Sequence, residues 1–161
     1  TTQIDALVAD VTGSLHSKFG PASRSYFEAK RSVSVQHHRG NLNERVIFDY
    51  AQERKFEEAT VGLSLLCSLP VHVVELALVG PNKEMALILT KALGFSWETA
   101  MSLLFMGAPD HRIHARDLEA LKREFDGLNK ETSRSVLETY KSRKHASADS
   151  DERRLPELHG R

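Results

Sequence analysis

Apolar positions recur at a helical period along most of the chain, and they are densest between Phe56 and Gly107. Within that stretch Phe56, Ala59, Thr60, Leu63, Leu66 and Cys67 make one stripe, predicting a first helix that stops at Leu69-Pro70. Val71, Val74 and Leu78 line a second, short helix that closes at Gly80-Pro81. Asn82 is placed to cap a third, with Met85, Ile88, Leu89, Ala92 and Leu93 facing inward. Gly94 falls where a helix end needs a left-handed residue, which glycine adopts without a Cβ penalty. Ser96 is placed to cap a fourth helix, with Phe95 and Ala100 as a hydrophobic staple across its start, and Gly107-Ala108-Pro109 ends it. Leu65, Leu76, Leu87 and the run from Leu103 to Met106 fall partly off these stripes.

A shift of 26 residues lays Leu63 on Leu89, Leu78 on Leu104, and the Leu69-Pro70 turn on Phe95-Ser96. Two tandem helical hairpins would produce this, although periodicity alone also generates such matches. Upstream, Ile4, Leu7, Val8, Val11, Leu15 and Phe19 predict a helix broken at Gly20-Pro21. Residues 22–35 fit a helix weakly, and 36–41 (QHHRGN) read as a loop. Asn43 then caps a helix carrying Val46, Ile47, Tyr50 and Ala51. Downstream, a loop at DHRIHA precedes a charged helix with Leu118, Leu121 and Phe125 inward. Asn129 caps a last helix with Thr132, Val136 and Tyr140 on one face. No sustained period-two alternation or hairpin turn predicts a strand. The pattern therefore predicts an all-α fold of about seven to nine helices, built from antiparallel helical hairpins stacked in one bundle or short solenoid over 1–144. Residues 145–161 read as a mobile polar tail.

Composition narrows the partners. Lys plus Arg equals Asp plus Glu at 22 each, so no overall charge favours nucleic acid or an anionic membrane. No apolar run reaches membrane-spanning length and no secretory signal is visible, so a cytoplasmic protein is expected. The start on Thr1-Thr2 reads as a processed or excised product. The single Cys67 excludes an internal disulfide and lies on a buried stripe, where an inert thiol is expected.

Candidate chemistry is sparse. Met85 to Leu104 has the spacing of a DNA-binding helix-turn-helix, with Thr90 four residues before Gly94 and apolar residues around the turn. Its second helix, WETAMSLLFMG, offers no Lys, Arg, Asn or Gln to bases or phosphates, and Glu98 would repel the backbone. Asp110-His111-Arg112-Ile113-His114 with Asp117, and His37-His38, are short of the three or four converging ligands a metal needs, and read as solvated loops. Glu57-Glu58 suit a helix N-terminus. Ser64 and Ser68 have no His and Asp partners that would make a nucleophile.

The segments KFEEATVGLSLLCSLPVHVVE and LILTKALGFSWETAMSLLF carry a resemblance to a known family. The features are Phe56-Glu57-Glu58, Leu63 to Leu66, Leu69-Pro70-Val71, Lys91 to Gly94 with Ser96-Trp97, and the helix of Leu118 and Phe125. Thr132, Arg134 and Arg143 also match. The chain resembles, over residues 40–144, the C-terminal helical region of an uncharacterised alphaproteobacterial family of unknown function. It departs at Gly62 and Ser64, where alanines are expected, and at His114, where a serine cap is. The resemblance implies an all-helical, HEAT-like stack and carries no activity, cofactor or catalytic residue.

Together these readings predict a non-enzymatic protein-interaction or regulatory module with no cofactor, metal or small-molecule substrate. The first alternative is a DNA-binding regulator using the 85–104 hairpin, and a third reading is a hydrolase or metal-dependent enzyme built on the histidine loop. A protein partner or a homodimer is expected, with Trp97, Met101, Phe105 and Met106 as the candidate contact surface.

Overall fold

The structure, a computed structural model, describes residues 13–143, with side chains from Tyr26 onward. The stripe from Ile4 to Val11 and the tail at 145–161 lie outside the described residues. Among those described, the chain is all helical and contains no strand. The helices are α1 Gly13–His38, α2 Glu44–Gln52, α3 Phe56–Cys67, α4 Val71–Val79, α5 Glu84–Ala92, α6 Trp97–Gly107, α7 Ala115–Gly127 and α8 at 130–143, with a 3-10 turn at Pro109–His111.

Most of the punctuation expected from the sequence is in place. Asn43 Oδ1 accepts from Val46 N–H, and Asn129 Oδ1 accepts from Thr132 N–H, each at 3.1 Å. The Ser96 hydroxyl accepts from Thr99 N–H at 3.4 Å to open α6. Gly94 has φ +76° and ends the turn after α5. Asn82 works one residue earlier than a cap should, because its Oδ1 accepts from Glu84 N–H in a short turn while Lys83 occupies the N-cap.

Four expectations need correction. The helix predicted to break at Gly20-Pro21 continues through both residues, although an interior proline costs about 3 kcal/mol. Residues 22–35, expected as a separate weak helix, and Gln36 to His38 of the expected 36–41 loop belong to the same helix, which ends at His38. The chain turns only at Gly40, with φ +72°. The inward face of α8 is set one residue on, at Ser133, Leu137 and Tyr140, leaving Thr132 and Val136 exposed. Leu87, Leu103, Leu104 and Met106, which fall off the predicted stripes, are all buried.

That last point follows from the packing. α1 lies on α3, α2 on α3 and α6, α4 on α3, α5 and α6, and α5 on α6 and α7. Central helices therefore have more than one covered side. α5 buries Ala86, Leu87, Ile88, Leu89, Thr90 and Ala92, nearly its whole circumference. A linear solenoid stacks each hairpin only on its neighbours, whereas here α2 reaches α6, two hairpins on.

Local geometry recurs at a 26-residue interval. α4 begins at Val71 and α6 at Trp97. Ser68 and Gly94 both take left-handed backbone, with φ +56° and +76°. After each, the next residue donates back across the turn: Leu69 N–H to Ser64 O, and Phe95 N–H to Thr90 O, both at 3.0 Å. Ser68 bears a Cβ in a conformation that costs about 1 kcal/mol and Gly94 does not. A Cβ on Gly94 would also stand 3.0 Å from Lys130 Nζ. Gly94→Val is therefore expected to lower stability by at least about 1 kcal/mol in urea unfolding. An unchanged midpoint would contradict the left-handed assignment.

Candidate interaction surfaces

The four residues expected to form a contact surface all lie on α6. Trp97, Met101 and Phe105 recur every four residues and are half-buried, and Met106 is buried. Trp97 is engaged within the chain. Its ring lies 5.7 Å from Phe125 of α7 at an interplanar angle of 51°, and Lys91 Nζ stands 4.1 Å above the other aromatic ring of that pair, Phe125. Met106 joins the core with Leu103 and Leu104. Of the four, Met101 and Phe105 are half-buried without joining the core.

α6 is fixed to α2 by side chains about fifty residues apart. The Glu44 carboxylate accepts from Ser96 N–H (2.8 Å), Ser96 Oγ (2.9 Å) and Thr99 Oγ1 (2.6 Å), occupying the N-terminus of α6 with negative charge. Further along the same pair, Gln52 Nε2 donates to Ser102 Oγ at 2.7 Å. Sequence reading missed this clasp, since nothing local links Glu44 to a serine 52 residues away.

Partial burial alone would raise the pKa of Glu44, but the three donors outweigh it and the carboxyl titrates below its ordinary 4.5. A depressed carboxyl pKa contributes stability that is fully present above the unfolded value and is lost as pH falls through the folded one. Glu44→Gln should therefore be less stable at neutral pH by about 1 kcal/mol, a modest figure because the site borders solvent. The gap from wild type should close as pH drops below about 4.5 in acid titrations followed by circular dichroism. A gap that stays constant with pH would contradict the charged clasp.

Three other clusters have defined places. The buried hydroxyl of Tyr26 of α1 faces Thr60 and Glu75. Burial first, then the Glu75 charge, pushes the phenol pKa well above its usual value, and burial raises Glu75 itself. Cys67 is buried, which pushes its thiol up to about 12.

In the histidine loop, Asp110 and His111 both have positive φ, +54° and +55°, and His111 Nδ1 lies 3.3 Å from the Phe105 carbonyl oxygen. Among the described residues no three His, Cys, Asp or Glu side chains are grouped as a metal site would need. Arg112 and His114 of this loop line a groove of about 460 Å³ together with Pro81, Lys83, Asp117 and Leu121. Lys83 is tied within the fold, its Nζ donating to the Leu78 carbonyl at 2.7 Å, and burial lowers its pKa.

The largest apolar exposures lie elsewhere. Phe27 is 60% exposed, Leu76 54%, Val35 46% and Val79 40%. Phe27 and Val35 are on α1, and Leu76 and Val79 on α4. The sequence hinted at Leu76 as an off-stripe leucine but gave no sign of Phe27. No single helix among the described residues is long and apolar enough to cross a membrane. α3 and α4 together have the composition but are bent by 120°.

Comparison with known proteins gives a family and no function. No curated protein matches the chain, and no solved structure does. A family model described as an uncharacterised protein conserved in bacteria (DUF2336) matches residues 1–138, reaching further toward the N-terminus than the resemblance over 40–144. The match takes in all of α1 and ends inside α8. This chain, all helical over its described residues, belongs to that bacterial family, DUF2336.

Proposed function

We propose that the chain is a non-enzymatic helical module that binds a protein partner or a second copy of itself, built on a hairpin repeated at 26 residues. The observation that carries this reading is the exposure of Phe27 and Leu76, at 60% and 54% the most exposed large apolar side chains among the described residues. Leaving such groups in water is unfavourable, and exposed apolar side chains that are not scattered singly mark interaction surfaces. α4 supports the same reading. Its sequence, VHVVELALV, is apolar nearly all round, as in a helix covered on every side, yet Leu76 and Val79 are open to solvent.

DNA reading through the 85–104 hairpin is less favoured. α6 turns Thr99, Ala100, Ser102, Leu103, Leu104 and Met106 inward, and the Glu44 carboxylate stands at the helix N-terminus where a phosphate would approach.

The test combines sedimentation with affinity capture. Wild-type protein should either self-associate at micromolar concentration or retain a defined partner after cross-linking in its native host. Phe27→Ser/Leu76→Ser should keep the wild-type melting temperature and lose that association. Retention of every associated species by the folded double variant would overturn the reading.

A further inference from the structure

The charge of this neutral chain is unevenly distributed, and its most basic part is α1. Residues 13–39 contain five Lys or Arg, three His and one acidic residue, Glu28. That is a surplus of four positive charges, so the rest of the neutral chain carries four net negative charges. Lys30, Arg31, His38 and Arg39 are exposed, and no ion pair among the described residues uses any of them.

The apolar exposures fall on the same side. α1 buries Tyr26, Ala29 and Val33, and it lies on α3. Phe27, Arg31 and Val35 recur every four residues, making one exposed ridge. Two apolar side chains thus bracket a guanidinium over two helical turns, with Lys30 and His38 beside them. Such a combination of aromatic and Arg is what protein interfaces enrich, whereas a merely solvated face has no use for Phe at 60% exposure.

We propose that this face of α1 docks an acidic amphipathic helix of a partner protein, with apolar anchors meeting Phe27 and Val35 and carboxylates meeting Arg31, Lys30 and Arg39. The inference rests on the interaction-module reading and names the partner's chemistry. The length suits a helix, because α1 has 26 residues and α3, on which it lies, has 12. Charge complementarity selects an acidic partner and speeds encounter. Nucleic acid fits less well, because the ridge sets one cation between two exposed apolar side chains instead of a dense row of cations for phosphates. A lipid surface fits less well because, among the described side chains of α1, Tyr26, Ala29 and Val33 are buried and only Phe27 and Val35 are large apolar groups left to insert.

The test uses the full chain and three probes: a fluorescent Glu/Leu amphipathic helical peptide, single-stranded oligothymidine, and phosphatidylserine-containing vesicles. The acidic peptide should bind with an affinity that falls with salt, and a Lys/Leu peptide of the same pattern should not. Phe27→Ser and Arg31→Glu, both at exposed positions and checked by melting, should each weaken peptide binding about tenfold or more. Tighter binding to oligothymidine or vesicles, no peptide binding, or peptide binding indifferent to both substitutions would overturn the proposal. If the peptide fails while Leu76→Ser alone still abolishes association of the native protein, only the α1 assignment falls. If no association depends on either surface, the module reading falls with it.

Discussion

Gly107→Ala should destabilise the protein by about 3 kcal/mol or more, a large part of the 5–15 kcal/mol that holds a typical domain together. Gly107 is the last residue of α6, and there the helix passes against the end of α4. A Cβ at this position would fall inside contact distance of the Leu78 carbonyl oxygen and only 2.8 Å from its carbonyl carbon. These are backbone atoms, so no rotamer change relieves the overlap. The same carbonyl is also held by Lys83 Nζ at 2.7 Å, which opposes any retreat of the α4 end. Alanine does favour helix over glycine by about 1 kcal/mol, but less at a terminal position, and the overlap outweighs it. Gly127→Ala is the internal control. It also ends a helix, yet nothing lies within 4 Å of its added Cβ, so its urea midpoint should stay level or rise slightly. If the two variants behave alike, α4 and α6 do not approach as closely as described.

This close approach also marks where sequence reading stops. Gly107 was legible as a helix end, because Gly-Ala-Pro is a strong local stop signal. Its second task, admitting the Leu78 carbonyl, depends on a residue 29 positions earlier and leaves no local trace. The same division holds for Ser96. Its capping role is written in the residues around it, whereas its bonds to Glu44 come from another helix. Pro70, Gly94, Asn43 and Asn129 were readable for the same local reason. α1 was misread because Gly20-Pro21 and His37-His38 resemble punctuation, and only packing on α3 explains how far its second half continues. The surface was the least legible part. Phe27 looks like any helical aromatic until its direction relative to α3 is known, and Met106 looks as available as Phe105 until α6 is seen among its neighbours.

Two leucines that the sequence could not tell apart now carry opposite expectations. Leu76 and Leu87 both lie off the apolar stripes of their helices, and periodicity assigns neither of them a partner. Leu87 is fully buried, whereas Leu76 is 54% exposed. Leu87→Ala removes a side chain from close packing, and its neighbours can only partly collapse into the space, so the expected loss is about 2–5 kcal/mol. α5, which carries it, has nine residues and is too short to persist without tertiary contacts. The loss should therefore appear as cooperative unfolding at lower urea rather than as local fraying. Leu76→Ala leaves most of its solvent exposure unchanged and should stay within about 0.5 kcal/mol of wild type in the isolated protein. Its cost should appear instead in association, where a covered leucine regains the value of burial. Urea titrations on both variants, with sedimentation on the second, separate the two roles. A Leu76→Ala protein as unstable as Leu87→Ala would mean that the α4 face is already covered within the chain, and the case for a partner there would end.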